Sequence, residues 1–373
     1  MASTRDSLFM QRALELARQG RGLASPNPKV GALLVKDHTV VGEGTHRYAE
    51  QKHAEVWALE QAGEQAVGST LYVNLEPCSH VGRTPPCVDH IIQAGVRCVV
   101  AAMQDPNPRV SGKGFEQLRR HGVEVRSGVL EAEAQKLNES FSKFIRTGRP
   151  FVVLKAGMTL DGRIGFSSGP TRWITSERAR AEAHQIRLDS DAILVGIGTV
   201  LKDDPLLTDR SGEPRRRPLV RAVLDTHLRL PPASRLIQSR SEGDIIAFCL
   251  QPPDPGKTRA LERSGVEVLA VPGEAGRIPW SVVLEELGRR EILQLLVEGG
   301  STIHFDALRA GVADKMVCFV APRVLGEAGT IPFVGGSGFE PPEQAPELRF
   351  AEVAMLNDHL MIEAYIDPTH GNS

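Results

Sequence analysis

Four residues in the first half of the chain have the types and spacing of a hydrolytic metal site. His53 and Glu55 open a predicted helix, HAEVWALEQAGE, and Cys78 and Cys87 follow the next predicted strand. One imidazole and two thiolates give a tetrahedral zinc ion three ligands and leave its fourth position for water. Zinc lowers the pKa of that water towards 7, and a carboxylate that is not a ligand can move its proton. We therefore predict metal ligands at His53, Cys78 and Cys87 and a catalytic acid and base at Glu55.

Helical geometry places a condition on this site. Residues two apart on a helix point about 200° away from each other, so His53 and Glu55 can share a site only at the helix N-terminus. Each residue alone has a plainer explanation, because single histidines often cap helices and isolated cysteines are often small buried residues. The joint order of His-x-Glu, a strand, Pro-Cys and a second cysteine is typical of zinc-dependent deaminases. Two alternatives stay open: a nucleic-acid deaminase of the tRNA-editing type, and a zinc-stabilised binding protein with His80 as a fourth ligand.

Composition limits the possible partners. The chain has 373 residues with Lys+Arg 44 against Asp+Glu 46, a net charge of −2, and 5% aromatic residues. This balance provides no general positive field for a nucleic-acid backbone and few platforms for base stacking. No apolar run approaches the roughly 20 residues that cross a bilayer, and the start of the chain has the pattern of an amphipathic helix rather than a signal peptide. Five cysteines, an odd number, argue against a disulfide framework. We therefore expect a cytoplasmic protein without a nucleic-acid or membrane partner.

Two α/β halves are predicted to position these residues. In the first half, the strand patterns VGALLV, STLYVNL and VRCVVAA alternate with helices, which indicates layers around a mostly parallel sheet. One polar helix, EAEAQKLNESFSKFIRTG, is predicted to end at Gly148, where Arg149-Pro150 breaks the pattern. In the second half, FVVLKAGM, DAILVGIG, LVRAVLD, DIIAFCLQ and LQLLVEGG are predicted strands. The predicted domains are therefore residues 1–148 and 149–373.

Two junctions in the second half have the pattern of a phosphate-binding turn. VGIGTV (195–200) and VEGGSTIHFDAL (297–308) each end a strand pattern with glycine and begin a helix. Free N–H groups at a helix start attract phosphate, and glycine lets the backbone approach the ligand closely. The chain contains no G-x-G-x-x-G motif, so the usual dinucleotide-binding fold is not predicted. The nearby run 215–217 of three arginines is predicted to be a solvated loop.

The longer motifs of the first half resemble one enzyme family. SPNPKVGALLV, HAEVWAL, LEPCSHVGRTPPC and QDPNP are similar to the deaminase half of the bifunctional riboflavin-biosynthesis deaminase/reductase. Eight residues separate Cys78 from Cys87, whereas two are usual in deaminases, and this family carries the longer insert. The resemblance implies a cytidine-deaminase-like α/β/α layer domain. It also implies a pocket for a pyrimidine bearing a ribosyl phosphate, lined by Asn27, His46, Arg83, Asp105 and Asn107.

The second half resembles the reductase half of the same family through LKAGMTLDGRIG, TRWITSERAR, GTVLKDDPLLT and LLVEGGSTIHFDAL. The resemblance implies a dihydrofolate-reductase-like α/β domain that binds NADPH. The implied cofactor contacts are Gly157, Trp173, Thr199, Asp203, Thr226, Gly300, Ser301, Thr302, Ile303, His304, Phe305 and Asp306. The implied substrate contacts are Lys155, Thr171, Arg187, Leu207, Arg210 and Glu298. Physically, Arg187 and Arg210 could clamp a sugar phosphate through paired N–H groups.

Together the two resemblances imply consecutive reactions in flavin synthesis. Zinc-dependent hydrolysis would first replace the 2-amino group of 2,5-diamino-6-(5-phosphoribosylamino)pyrimidin-4(3H)-one. NADPH-dependent reduction would then convert the ribosyl group of 5-amino-6-(5-phosphoribosylamino)uracil to ribityl. Lys155 and Glu298 are both candidates for the proton donor of this second step. A homo-oligomer is expected.

Overall fold

The computed structural model describes residues 4–80, 85–108, 110–167 and 174–367. The chain divides into two compact units, one formed by Met1–Gly148 with Pro214–Arg217 and the other by Arg149–Glu213 with Pro218–Ser373. Each unit has its own sheet and its own hydrophobic core. The predicted site residues Arg83, Thr171 and Trp173 lie outside the described residues.

The sheet of the first unit is mixed rather than mostly parallel. Its strand order in the described part is β2-β1-β3-β4-β5, with β1 antiparallel to β2 and β3, and β3, β4 and β5 parallel to one another. Asp37 and His38 form the two-residue turn between β1 and β2, and both have positive φ, as a tight hairpin turn requires. The strands are β1 Gly31–Lys36, β2 Thr39–Thr45, β3 Thr70–Leu75, β4 Cys98–Met103 and β5 Glu124–Ser127.

Helix α2 packs directly against the backbone of strand β2. A Cβ atom added at Gly42 or Gly44 would lie 2.1 or 2.0 Å from the carbonyl oxygen of Ala58 or Ala54, so only glycine allows this approach. The close packing holds the N-terminus of α2, with the predicted metal site, at the end of the sheet. The helices of this unit are α1 Thr4–Arg18, α2 Ala54–Ala62, α3 Cys87–Gln93, α4 Lys113–Arg120, α5 Glu131–Leu137 and α6 Glu139–Thr147.

The single polar helix predicted before Gly148 is two helices, α5 and α6, so that prediction was wrong. The break is Asn138, whose backbone leaves the helical region at φ −114° and ψ 23°. Its buried side chain accepts the N–H of Lys29 at 2.8 Å and donates to the carbonyl of Lys29 at 2.9 Å. Pairing with a distant backbone therefore competes with helical continuity, which a local pattern does not reveal.

The second unit is built on a nine-stranded sheet within the described residues, in the order β11-β10-β9-β8-β12-β6-β13-β16-β15. The strands from β11 to β13 are parallel, and the hairpin of β15 and β16 adds an antiparallel edge beside β13. Strand β7 pairs separately with β14. The strands are β6 Phe151–Thr159, β7 Arg163–Phe166, β8 Ala192–Gly196, β9 Val220–Leu224, β10 Ile245–Leu250, β11 Val266–Val271, β12 Gln294–Glu298, β13 Lys315–Ala321, β14 Thr330–Pro332, β15 Leu348–Leu356 and β16 His359–Ile366.

Both predicted strand–glycine–helix junctions are present in the second unit, as β8 to α8 and β12 to α12. Within the described residues, no helix has the length and apolar composition to cross a membrane. The helices are α7 Glu177–Asp189, α8 Ile197–Asp203, α9 Arg235–Gln238, α10 Pro255–Arg263, α11 Trp280–Arg289 and α12 Ser301–Arg309.

The arginine run 215–217 belongs to the first unit rather than forming a solvated loop. The backbone N–H of Arg216 donates to the carbonyl of Gly22 at 2.8 Å, and its guanidinium lies 4.1 Å from the centroid of the Tyr48 ring. Arg217 donates to the hydroxyl of Ser25 at 3.5 Å. All three arginines are half-buried. A run of like charges does not by itself indicate this packing.

Candidate active sites

The predicted metal ligands come together at the N-termini of two helices. His53 is the extended residue just before α2, and Cys87 is the first residue of α3. Cys78 follows strand β3 by three residues. The Nδ1 atom of His53 lies 2.9 Å from the sulfur of Cys87 and 3.5 Å from that of Cys78. The three ligand atoms all lie within 4.8 Å of one another.

These three residues fit a zinc ion. Tetrahedral zinc with ordinary Zn–S and Zn–N bonds separates its donor atoms by roughly 3.5–3.8 Å. The distance from His53 to Cys78, 3.5 Å, matches this range, and the distance from His53 to Cys87, 2.9 Å, is shorter. Among the residues that the structure describes, no fourth His, Cys, Asp or Glu joins the group, and His80 is not part of it. Glu55, the second residue of α2, is 4% exposed and stands beside the group without belonging to it. The donor set is that of a catalytic rather than a fully liganded structural zinc site.

The electrostatics of the group favour a thiolate. The pKa of Cys78 is lowered to about 4, first by its hydrogen bond with Cys87 and then by its hydrogen bond with His53. The same contact with Cys78 raises the pKa of His53 to about 9. Hydrogen bonding to Cys78 also raises the pKa of Cys87, and burial raises that of Glu55. The lowered pKa of Cys78 favours the thiolate, which is the form that binds metal.

Two further predicted residues of the first unit form a pair beside His53. The amide of Asn27 donates to Nε2 of His46 at 3.0 Å, and Nδ1 of His46 donates to the carbonyl of Lys52 at 2.9 Å. The rings of His46 and His53 are 5.4 Å apart and nearly perpendicular. Burial lowers the pKa of His46, which keeps the imidazole neutral with its proton on Nδ1. The structure thus brings Asn27 and His46 to the metal group.

Asp105 and Asn107 form a second pair near Cys78. The Asp105 carboxylate accepts the backbone N–H of Asn107 at 2.8 Å. Burial is the main cause that raises the pKa of Asp105, and the charges of Glu76 and Cys78 raise it further. The hydrogen bond from Asn107 acts in the opposite direction and lowers it. Two separate loops therefore carry predicted substrate contacts near the metal group.

The second unit contains a largely buried charge cluster that involves two neighbouring strands. Lys155 on β6 and Glu298 on β12 are register partners, and their charged atoms are 3.4 Å apart. Arg187 on α7 donates to both oxygens of Glu298, at 2.7 and 2.8 Å, and to the carbonyl of Thr208 at 2.6 Å. Burial raises the pKa of Glu298, but the charges of Arg187 and Lys155 lower it further than burial raises it. The carboxylate is therefore ionised.

Phosphate contact by Arg187 stays a prediction, and the structure shows this side chain paired with Glu298. Its guanidinium points to Glu298 because a buried carboxylate needs a cationic partner. Arg210 lies close by, since its backbone N–H donates to Nδ1 of His184 at 3.3 Å. Leu207 precedes Thr208, is 4% exposed and has φ 55°, an uncommon conformation for leucine. Four of the six predicted reductase substrate contacts, Lys155, Arg187, Leu207 and Glu298, thus meet in or next to this cluster.

The two glycine junctions lie side by side. Thr199 Oγ1, in the first turn of α8, is 3.5 and 3.8 Å from the positions of Cβ atoms added at Gly299 and Gly300. Gly299 and Gly300 have φ of 93° and 88°, which glycine adopts readily. Two helix N-termini and a glycine turn without side chains form a cradle that fits a cofactor pyrophosphate.

Several side chains in the predicted stretch Gly300–Asp306 have internal partners. The buried His304 ring accepts the N–H of Gly299 at 3.4 Å and donates to the carbonyl of Phe333 at 3.2 Å. Burial lowers its pKa to about 4. Ser301 donates to the carbonyl of Pro332 at 2.6 Å, and Asp306 pairs with Arg277. These side chains hold the turn in place, whereas Thr302 is exposed.

The remaining predicted cofactor residues are more widely placed. Gly157 on β6 faces Thr175, and a Cβ atom there would lie 2.9 Å from its methyl carbon. Thr226 follows β9 and accepts the N–H of Leu250 through its carbonyl. Asp203 is the exposed last residue of α8. Ile303 packs against Gly196, where an added Cβ atom would lie 2.8 Å from the Ile303 side chain. Cofactor contact at these positions stays a prediction.

Three residues of these sites were not assigned from the sequence. Glu76 lies inside the quoted motif LEPC, and Thr208 and His184 contact Arg187 and Arg210. The spacing of His184 and Arg187, three apart on α7, was a signal that could have indicated a shared face. Backbone acceptors such as Thr208 leave no comparable signal in a sequence.

Family comparisons match both halves. A family model for the cytidine and deoxycytidylate deaminase zinc-binding region matches residues 3–103, and one for the RibD C-terminal domain matches residues 150–362. The chain thus has a cytidine-deaminase-like domain with a zinc site followed by a reductase domain that uses NADPH. Both fold predictions are confirmed, and so are the predictions of zinc and NADPH as cofactors.

Relatives match nearly the whole chain. The riboflavin biosynthesis protein RibD of Aquifex aeolicus is 42% identical and that of Escherichia coli 41% identical, covering 96% and 93% of this chain and 97% and 96% of their own. The solved structure of Acinetobacter baumannii RibD has a TM-score of 0.84 at 36% identity and covers 97% of this chain and 99% of its own. A deaminase/reductase from Thermotoga maritima gives 0.83 at 37% identity, with the same coverage. Because these relatives span both halves, the tRNA-editing alternative is not favoured. The chain is a bifunctional deaminase and reductase, and it belongs to the RibD family of riboflavin biosynthesis proteins.

Proposed function

We propose that this enzyme deaminates 2,5-diamino-6-(5-phosphoribosylamino)pyrimidin-4(3H)-one and then reduces the ribosyl group of the resulting 5-amino-6-(5-phosphoribosylamino)uracil to ribityl. The Thermotoga maritima relative carries both corresponding activities in its name. The observation that supports the first step most directly is the group of His53, Cys78 and Cys87 with buried Glu55 beside it. The charge cluster of Glu298 and the glycine cradle support the second.

In the deaminase, the chain contributes ligands, proton transfer and orientation. His53, Cys78 and Cys87 would hold zinc, which when bound makes a water molecule acidic enough to act as a nucleophile near neutral pH. Glu55 takes a proton from the attacking water and delivers it to the amino nitrogen, which leaves as ammonia while a carbonyl forms at the ring carbon. Asn27, His46, Asp105 and Asn107 orient the pyrimidine, and Arg83 binds its phosphate.

In the reductase, Lys155 is the proton donor and Glu298 is its charge partner. Thr199 and the glycine turn at Gly300 would hold NADPH, which when bound would supply a hydride for reduction at C1′ of the ribosyl group. The ring oxygen released at C1′ needs a proton. The ammonium of Lys155 has protons to give, whereas Glu298 is ionised by its two cationic neighbours and has none. Arg187 positions Glu298 through two hydrogen bonds.

Feeding the purified full-length enzyme with the diaminopyrimidine tests both steps. With zinc and NADPH present, we expect ammonia release followed by NADPH oxidation and a ribityl product. With NADPH omitted, ammonia release alone should continue. After chelation of zinc, the enzyme should release no ammonia but should still oxidise NADPH when given the aminouracil directly. Absence of ammonia with zinc bound would refute the first assignment.

We also place the enzyme in the cytoplasm, where thiols stay reduced. The five cysteines are all free, and two of them are the sulfur ligands of the metal group. A reducing compartment preserves such ligands, because oxidation of Cys78 and Cys87 would remove two of the three.

Finally, we propose that the enzyme is a homo-oligomer that associates through β15, one of the two edge strands of the nine-stranded sheet described here. Phe350, Val353 and Met355 project from one face of this strand, since their register partners in β16 are Ala364, Ile362 and Leu360. They are 67%, 59% and 63% exposed. An exposed apolar edge strand pairs readily with another chain, and a second copy offers the same strand.

Substitution on this face should weaken self-association. We expect Val353→Lys to raise the dissociation constant of the oligomer by roughly thirtyfold, because a charge would be buried at the interface. Glu352→Lys, on the opposite face of the same strand, is the matched control and should leave the oligomer intact. Sedimentation velocity over a concentration series measures both. A wild-type enzyme that stays monomeric would refute the proposal.

A further inference from the structure

Glu76 is a buried carboxylate to which the mechanism above gives no role. It lies between the end of β3 and the metal ligand Cys78, and it is 3% exposed. Its own backbone N–H donates to the carbonyl of Met103 at 3.0 Å. The side chain therefore sits between the strand that leads to Cys78 and the segment that follows β4.

Four backbone N–H groups converge on this carboxylate. Oε2 accepts from Asp105 at 3.0 Å and from Gly112 at 2.9 Å. Oε1 accepts from Gly114 at 2.9 Å and from Phe115 at 3.4 Å. Gly114 and Phe115 lie in the first turn of α4, where N–H groups have no acceptor within the helix. One buried anion thus satisfies donors at both ends of the segment 105–115.

The close approach of α4 to this carboxylate depends on glycine. A Cβ atom at Gly114 would lie 2.2 Å from the carbonyl oxygen of Pro77 and 3.1 Å from Oε1 of Glu76. The start of α4 therefore rests against the residues that lead to Cys78. An acceptor with two oxygens is needed there, because the four donors approach it in two pairs.

We propose that Glu76 is a positioning residue of the deaminase, fixing the segment 105–115 so that Asp105 and Asn107 face the substrate at a set distance from the metal ligand Cys78. The connection is short, since Glu76 binds the N–H of Asp105 and the carboxylate of Asp105 binds the N–H of Asn107. This inference rests on the proposed function, which makes Asp105 and Asn107 substrate contacts.

The test uses Glu76→Gln in the full-length, zinc-loaded enzyme. The amide nitrogen of glutamine donates rather than accepts, so it would face two N–H groups and release one end of the segment. We expect kcat/KM for deamination to fall roughly 10- to 100-fold, mainly through a higher KM, with the zinc content and the reductase activity unchanged. Unchanged deaminase kinetics, or loss of zinc in this variant, would overturn the inference.

Two controls separate positioning from general destabilisation. Asp6→Asn makes the same carboxylate-to-amide change at another buried site, where the carboxylate accepts the hydroxyl of Tyr72, and should leave the deaminase KM unchanged. Glu76→Asp keeps the charge with a shorter reach and should recover part of the KM. If Glu76→Gln does not fold, Glu76→Asp decides the question, and a wild-type KM in that variant would overturn the inference.

A double-mutant cycle with Asn107→Ala distinguishes the inference from the function on which it rests. If Glu76 acts through this segment, the effects of Glu76→Gln and Asn107→Ala are less than additive. Fully additive effects would overturn the positioning role. A wild-type KM for Asn107→Ala would instead show that Asn107 is not a substrate contact. If Glu76→Gln still lowered deaminase kcat/KM in that case, Glu76 would not act through Asn107, and the inference would be overturned.

Discussion

Glu55→Gln should lower the deaminase kcat by roughly 10²–10⁴-fold while zinc remains bound and the reductase remains active. Glutamine has the same shape as glutamate but cannot carry a proton from the attacking water to the leaving amine. Glu55 is not one of the three ligand residues, so its replacement should not release the metal. Ammonia release, zinc content and NADPH oxidation with the aminouracil substrate are the three measurements.

Glu60→Gln is the matched control for this substitution. Glu60 lies on the same helix, is exposed and pairs with Lys52 at 2.8 Å. Its replacement should change deamination by less than twofold, because exposed ion pairs contribute little. If Glu55→Gln abolished both reactions together, the division of the two activities between the two halves would be refuted. If it left deamination intact, Glu55 would not be the proton carrier.

Glu298→Gln should abolish most reductase activity and destabilise the second unit. The change leaves Arg187 and Lys155 beside a neutral amide in a buried site, and breaking a buried ion pair costs about 3–5 kcal/mol. Reductase kcat should fall because Lys155 loses the partner that holds its ammonium in place. Steady-state NADPH oxidation and thermal unfolding of the full chain measure the two effects, and deamination should persist.

The pH dependence of this effect follows from the lowered pKa of Glu298. Because folding lowers the pKa of Glu298, its carboxylate stabilises the folded state fully at pH values above 4.5, its ordinary pKa. This stabilisation is lost progressively as the pH falls below 4.5, because the unfolded chain then binds a proton that the folded chain does not. The stability difference between wild type and Glu298→Gln should therefore be full at pH 7 and shrink below pH 4.5. Glu285→Gln, at an exposed pair with Arg149, is the control and should show a difference of less than about 1 kcal/mol. A difference that stayed constant down to pH 3 would contradict the assignment.

Much of the site could be predicted because its residues stand close to element ends in the sequence. His53 and Glu55 were expected to share a site only at a helix N-terminus, and His53 is the residue before α2. The two glycine junctions were predicted from strand patterns that end in glycine, and both are present. Local patterns succeed at such places because the geometry of one turn fixes the direction of the side chain.

Predictions failed where a distant backbone competed with a local preference. Asn138 lies within a good helical pattern, yet its side chain pairs with Lys29, more than a hundred residues away, and divides the helix. Arg187 pairs with Glu298 on another strand, which no local pattern indicated, while its contact with a phosphate stays a prediction. Such partners are chosen by the topology of the sheet, which no window of sequence contains.

The sequence by itself determined the chemistry of this protein: which residue types could bind zinc, which carboxylate could move a proton and which glycine turns could approach a phosphate. Only the tertiary structure decided which of these groups meet. It placed Cys78 and Cys87 against His53, ionised Glu298 between two cations and directed four N–H groups to Glu76. The physical reason is that side-chain type sets what a group can do, whereas burial and distance set its charge and its partner.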